Sequence, residues 1–107
     1  MKKQIVLSIE QMKRLEELGL DTSDASMYEY TTIDPFGEGS VHIEYASVEN
    51  VVYPKSNRHY VYTLQDVLNH LTFSNRHIVI NLKPEEWLNT AYILLVSQLM
   101  SKTEFTI

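Results

Sequence analysis

The stretch PEEWLNTAYILLVSQLMS, residues 84–101, limits what this chain can fold into more than any other. Pro84 suits a first helical turn, and Glu85 and Glu86 suit the positive end of a helix dipole. Trp87, Leu88, Ala91, Tyr92, Leu94, Leu95, Val96, Leu99 and Met100 then surround the helix axis. The polar strip is narrow (Glu86, Asn89, Thr90 and Ser97), and Ile93 interrupts it. A helix apolar nearly all round must be covered on most sides. In a chain of 107 residues, that predicts a central helix or one shared with a second subunit. Ile93, Val96 and Met100 are therefore candidate interface residues for a homodimer.

Local punctuation predicts two further helices. Ser8-Ile-Glu-Gln11 has the form of a capping box, and Ile9, Met12 and Leu15 recur on one helical face. Gly19 closes that pattern as a left-handed residue past the helix end, with Leu20 able to touch Leu15. This helix is expected over about 8–18. Thr63-Leu-Gln-Asp66 repeats the capping pattern, with Val67, Leu68 and Leu71 behind it, so a helix is expected over about 63–72. Asp21-Thr-Ser-Asp24 reads as a third cap opening one helical turn over 21–26, because Asp, Ser and Thr satisfy free backbone N–H groups. A calcium loop would need further oxygen ligands at fixed spacing, and none follows.

Strand signals fill the middle. Tyr28, Tyr30 and Thr32 alternate with Met27, Glu29, Thr31 and Ile33. Val41, Ile43 and Tyr45 alternate with His42, Glu44 and Ala46. The turn-rich segment Asp34–Ser40 joins them, which predicts a β-hairpin over about 27–48 with a long loop. Short strands are expected near 59–62 and, from Ile78, Val79, Ile80 and Leu82, near 77–82. Phe73–Arg76 reads as a connection. The expected fold is a single α+β domain, 1–107: a small antiparallel sheet packed with three helices, about 8–18, 63–72 and 84–101. A chain this long can bury a core unaided.

Three of these segments resemble a known group. EQMKRLEELGLDTSDASM (10–27), YTLQDVLNHL (62–71) and LNTAYILLVSQLM (88–100) are similar to small uncharacterised proteins encoded in gut anaerobic bacteria, often near phage or other mobile elements. Those chains share a Leu-Gly-(apolar)-Asp-Thr-Ser turn, a Thr-Leu-Gln-Asp helix start and an Ala-Tyr pair in the closing helix. The resemblance covers about 40% of the chain. It implies a small cytoplasmic domain and supplies no catalytic residues.

Composition narrows the function classes. The net charge is −5, and Asp21, Asp24, Glu29, Asp34, Glu38, Glu44 and Glu49 give residues 21–54 a charge of −7 with no Lys or Arg. Such a surface repels phosphates, so nucleic acid is a disfavoured partner. The alternative is a small basic-aromatic patch from Lys55, Arg58, Tyr60 and Arg76, with His59 and His77, which could stack single-stranded bases. No cysteine is present, which excludes disulfides and thiolate metal sites. The four histidines form no HExxH-type pair, and His42 with Glu44 or His70 with His77 are the remaining candidates for a catalytic or metal pocket. His70 also suits a helix C-terminus. Only three glycines occur, and Gly37-Glu-Gly39 lacks the helix and lysine of a phosphate cradle. No cofactor is implied. The N-terminal apolar run, Ile5–Leu7, is too short for a signal peptide, and the run over 91–96 is far short of the roughly 20 residues that cross a bilayer. These readings converge on a cytoplasmic, non-enzymatic module that binds a protein of unknown identity or a second copy of itself.

Overall fold

The computed structural model describes residues 5–45 and 58–104. It is an α+β fold in the order α1 (Ile9–Glu17), β1 (Met27–Ile33), β2 (Gly39–Tyr45), β3 (Arg58–Val61), α2 (Leu64–His70), α3 (Phe73–Ile80) and α4 (Pro84–Glu104). The three strands form one antiparallel sheet in the order β2-β1-β3. Among the described residues, no helix is long and apolar enough to cross a membrane.

The helix starts follow from their caps. Ser8 Oγ accepts from the Gln11 N–H, and the Gln11 side chain accepts from the Ser8 N–H, so two otherwise unbonded donors are satisfied reciprocally. Thr63 and Asp66 do the same for α2. At the end of α1, Gly19 adopts φ +95°. Its N–H donates to the Glu16 carbonyl, and the Leu20 N–H reaches the Leu15 carbonyl. This is the Schellman pattern expected from Gly19 and Leu20.

The hairpin is tighter than expected. Gly37, at φ +85°, donates its N–H to the Asp34 carbonyl, and the Asp34 N–H donates to the Glu38 carbonyl. The loop is thus three residues, 35–37, a turn closed by a left-handed glycine. Asp34 Oδ1 accepts from both the Phe36 and Glu38 N–H groups and holds the turn. The paired Asp34 and Glu38 also set the phase of the ladder. Hydrogen-bonded pairs alternate along antiparallel strands, so Thr32 with Ser40, Tyr30 with His42 and Tyr28 with Glu44 carry the bonds. Val41, Ile43 and Tyr45 therefore turn their N–H and C=O groups away from β1. Residues 46–48 of the expected hairpin lie outside the described residues.

The segment expected as a strand near 77–82 is helical instead. It belongs to α3, so the sheet is flanked by four helices rather than three. Phe73–Arg76, expected as a connection, forms its first turn. The cause is local capping plus tertiary packing. Thr72 Oγ1 accepts from the Asn75 N–H, and Asn75 Nδ2 donates to Gln98 on α4. Once helical, the Ile78-Val79-Ile80 run buries only Val79 and exposes both isoleucines. A short apolar run cannot itself distinguish a strand from a helix, and here α4 supplies the docking surface. The 21–26 segment is likewise not a helical turn: Asp21 Oδ1 accepts from the Ser23 N–H, and the Ala25 N–H donates to the Thr22 carbonyl, giving a compact turn.

The core lies between the helices and one face of the sheet. Leu7, Leu15, Val61, Val67, Val79, Ala91 and Leu95 are fully or almost fully buried, and Met27 and Ile43 pack against this cluster from the sheet. Burial of each such leucine or valine side chain contributes about 1.5–3 kcal/mol. Ala91 and Leu95 place α4 at the centre, in contact with α1, α2 and α3.

Candidate functional site

Opposite residues on paired strands share a face, so the sheet has two chemically different sides. The side turned away from the helices carries Tyr28, Tyr30, Thr32, His42, Glu44, Arg58 and Tyr60, and Tyr28 and Tyr30 are buried there. Glu44 accepts hydrogen bonds from both Tyr28 Oη, at 3.1 Å, and Tyr30 Oη, at 2.9 Å. His42 stacks on Tyr30, with ring centroids 5.0 Å apart, and its Nε2 lies 2.8 Å from Thr32 Oγ1. The Arg58 guanidinium sits 4.7 Å from the centre of the Tyr28 ring, a cation–π contact. His42 and Glu44 therefore share a face, as the alternation implied, and each is engaged with its neighbours.

The inner side carries Met27, Glu29, Thr31 and Ile33 on β1 with Val41, Ile43 and Tyr45 on β2. Its base is covered by helices. Its far end is not. Ile33 is 75% exposed and Val41 65%, while Phe36 at the loop is 91% exposed; Tyr45, opposite Met27 at the base of the edge strand β2, is 64% exposed. The apolar stripe that anchors the sheet thus runs beyond the helices into solvent. Contiguous uncovered apolar surface of this kind marks interaction sites.

A groove of ≈ 520 Å³ lies between α1, the 21–23 turn and β3. Lys13, Arg58, His59 and Tyr60 line it, together with the carboxylates Glu16 and Asp21. Glu16 also accepts from Thr22 Oγ1 at 2.9 Å. The hydrogen bond from the Ser23 backbone, with help from its side chain, holds the Asp21 carboxyl below its ordinary range. Of the basic-aromatic patch, the structure brings Arg58 and Tyr60 together here. Arg76 lies exposed on α3 and does not line the groove. Lys55 lies outside the described residues.

A third polar cluster joins the Asp21–Ser26 turn to α2. Asp24 Oδ1 accepts from Tyr62 Oη at 2.5 Å, and Asp24 Oδ2 lies 2.8 Å from His70 Nε2. The Tyr62 and His70 rings stack with centroids 5.4 Å apart. Burial, followed by the adjacent Asp24 carboxylate, pushes the Tyr62 hydroxyl far above its ordinary range. Desolvation raises the Asp24 carboxyl, but hydrogen bonds from Tyr62 and His70 and the His70 charge leave it net below the ordinary 3.8. Its neighbour Asp66 is buried and accepts from Ser26 N–H, Ser26 Oγ–H and Thr63 N–H. The sequence offered Asp24 only as a cap and His70 only as a dipole partner. Their meeting with Tyr62, 38 and 8 residues away, was signalled by no local pattern. His77 is elsewhere, stacked on Phe73 of α3. Among the described residues, no group of three or more His, Asp or Glu side chains is placed to hold a metal ion.

On α4, Ile93 is 54% and Met100 45% exposed, and Val96 packs partly against the core. The three candidate interface residues thus share one flank of the helix, with Val96 at its buried margin.

No family model, curated protein or solved structure matches this chain.

Proposed function

We propose that this chain is a small, non-catalytic protein-interaction module acting in the cytoplasm. One observation carries the reading: the inner face of the sheet continues past the helices that cover it, leaving Ile33 and Val41 in water, with Phe36 of the loop exposed as well. Isolated exposed apolar residues are ordinary, but a stripe continuous with the core is costly unless a partner covers it. The hairpin carries Glu29, Asp34, Glu38 and Glu44 with no Lys or Arg, which favours a partner that is not a polyanion. A regulatory role fits such a module, and the sequence resemblance implies a mobile-element setting. The flank of α4 bearing Ile93, Val96 and Met100 is a separate surface through which two copies could pair.

The test is a tagged pull-down from host-cell lysate, with and without nuclease, comparing the natural chain with an Ile33→Ser/Phe36→Ser variant. Enrichment of one protein by the natural chain in both samples, lost with the double variant, is expected. Enrichment that survives the double variant refutes the hairpin as the docking surface.

A second reading is favoured by the groove. Lys13, Arg58 and Tyr60 on its walls give cationic and stacking groups suited to a single strand. Glu16 and Asp21 on the same walls weigh against it. Enrichment lost on nuclease treatment would support this reading over the first.

A further inference from the structure

We propose that the outer edge of β2 pairs with β2 of a second copy, antiparallel and centred on Ile43. This rests on the protein-interaction reading above and names its partner. Among the described residues the edge is long and open: seven residues with no proline, no lysine and no bulge, and no described strand pairs with it. Natural sheets blunt such edges with those devices, or pair them.

The register follows from the ladder. The N–H and C=O groups of Val41, Ile43 and Tyr45 point outward, so these residues form the hydrogen-bonded pairs with an incoming strand. A two-fold axis on Ile43 sets Val41 against the partner's Tyr45, Ile43 against its own counterpart, and Tyr45 against the partner's Val41. That gives about six inter-chain hydrogen bonds. On the inner face, it covers the exposed Val41 and Tyr45 with each other. On the outer face, it sets His42 against the partner's Glu44, twice by symmetry. A slip to an axis on His42 would instead oppose two imidazoles and set Tyr45 against Gly39. Polar complementarity, imidazole against carboxylate, and apolar complementarity, Val41 against Tyr45, both select Ile43. The result is a continuous six-stranded sheet with its helices on one side.

The chain lacks cysteine, so introduced thiols report register cleanly. Val41 and Tyr45 are exposed, and replacing either spares the core. Directly opposed Cβ atoms lie about 4.5–5.5 Å apart, within disulfide reach after minor adjustment. Oxidising a mixture of Val41→Cys and Tyr45→Cys chains should give the mixed disulfide, with each chain alone giving little. Sedimentation should show His42→Glu weakening the dimer at least about tenfold, because the new carboxylate faces the partner's Glu44, while His42→Lys preserves it. Both substitutions lose the same stacking on Tyr30, so equal effects would overturn the register. Self-cross-linking of Val41→Cys alone, or a chain monomeric at all concentrations, would overturn the proposal. A monomer that still captures a protein through Ile33 and Phe36 would overturn the self-pairing and leave the interaction reading standing. A dimer disrupted by Ile93→Glu but indifferent to His42→Glu would place pairing on α4 and likewise overturn the β2 edge.

Discussion

Asp66 is the residue whose loss should cost this fold most relative to its size. Its carboxylate is buried and accepts three hydrogen bonds, from Ser26 N–H at 3.0 Å, Ser26 Oγ–H at 2.6 Å and Thr63 N–H at 3.0 Å. It therefore does two things: it completes the cap of α2, and it ties the entry to β1 against that helix. Asp66→Ala removes the N3 half of the capping box, its bond from the Thr63 N–H. It also leaves the Ser26 and Thr63 N–H groups short of acceptors in a partly buried place, where an unsatisfied donor costs about 1–3 kcal/mol. Partial relaxation toward water brings the whole to about 3 kcal/mol. Against a stability of about 5–15 kcal/mol, that is a large fraction. For a chain this small, it lowers Tm by roughly 12–24 °C. Circular dichroism melts and urea titrations of the natural chain and the variant measure it, with an unchanged m-value checking that the cooperative unit is the same. Asp66→Asn should fall between the two, because it retains one acceptor but turns a donor toward an N–H. A loss under about 1 kcal/mol for Asp66→Ala would refute the double role.

Three shorter predictions follow from other parts of the molecule. Gly19→Ala should cost about 1 kcal/mol, read in the same melts, because only the backbone conformation at φ +95° and not lack of space requires glycine there. The lowered Asp24 carboxyl makes its contribution to stability complete above the ordinary 3.8 and lost as pH falls through its lower folded value. Asp24→Asn should therefore flatten the fall of Tm in the acid range, whereas an unchanged acid profile would show that Asp24 contributes nothing. Arg58→Ala/Tyr60→Ala should leave protein capture intact and abolish any retention of a fluorescent single-stranded oligonucleotide.

The features legible in the sequence are those with local causes. Ser8 with Gln11, Thr63 with Asp66, and Gly19 with Leu20 each satisfy backbone groups a few residues away, so the ends of α1 and the start of α2 fall where the pattern put them. The alternation in 27–33 and 41–45 likewise assigned residues to sheet faces correctly. What the sequence withheld depends on distant partners. Ile78–Ile80 looked like a strand because β-branched residues favour pleated surfaces, yet Thr72 caps the segment and Gln98 of α4 holds its first turn. The Asp24–Tyr62–His70 cluster unites three elements and leaves no local trace. Alternation also cannot say where a sheet's cover ends, so the exposure of Ile33 and Val41 had no signature in it. Ile93, which breaks the polar strip of the helical wheel, and Met100 both lie exposed on α4.

Amide hydrogen exchange along β2, read by NMR at low and high chain concentration, would locate the docking edge. In the separate chain, the amides of Ser40, His42 and Glu44 should exchange slowly, because they bond to β1, and those of Val41, Ile43 and Tyr45 should exchange fast. As concentration rises, the fast set should become protected while the amides around Ile93 stay unchanged. Protection appearing around Ile93 or on the Arg58–Tyr60 groove, with Val41, Ile43 and Tyr45 still fast, would contradict docking at the sheet edge.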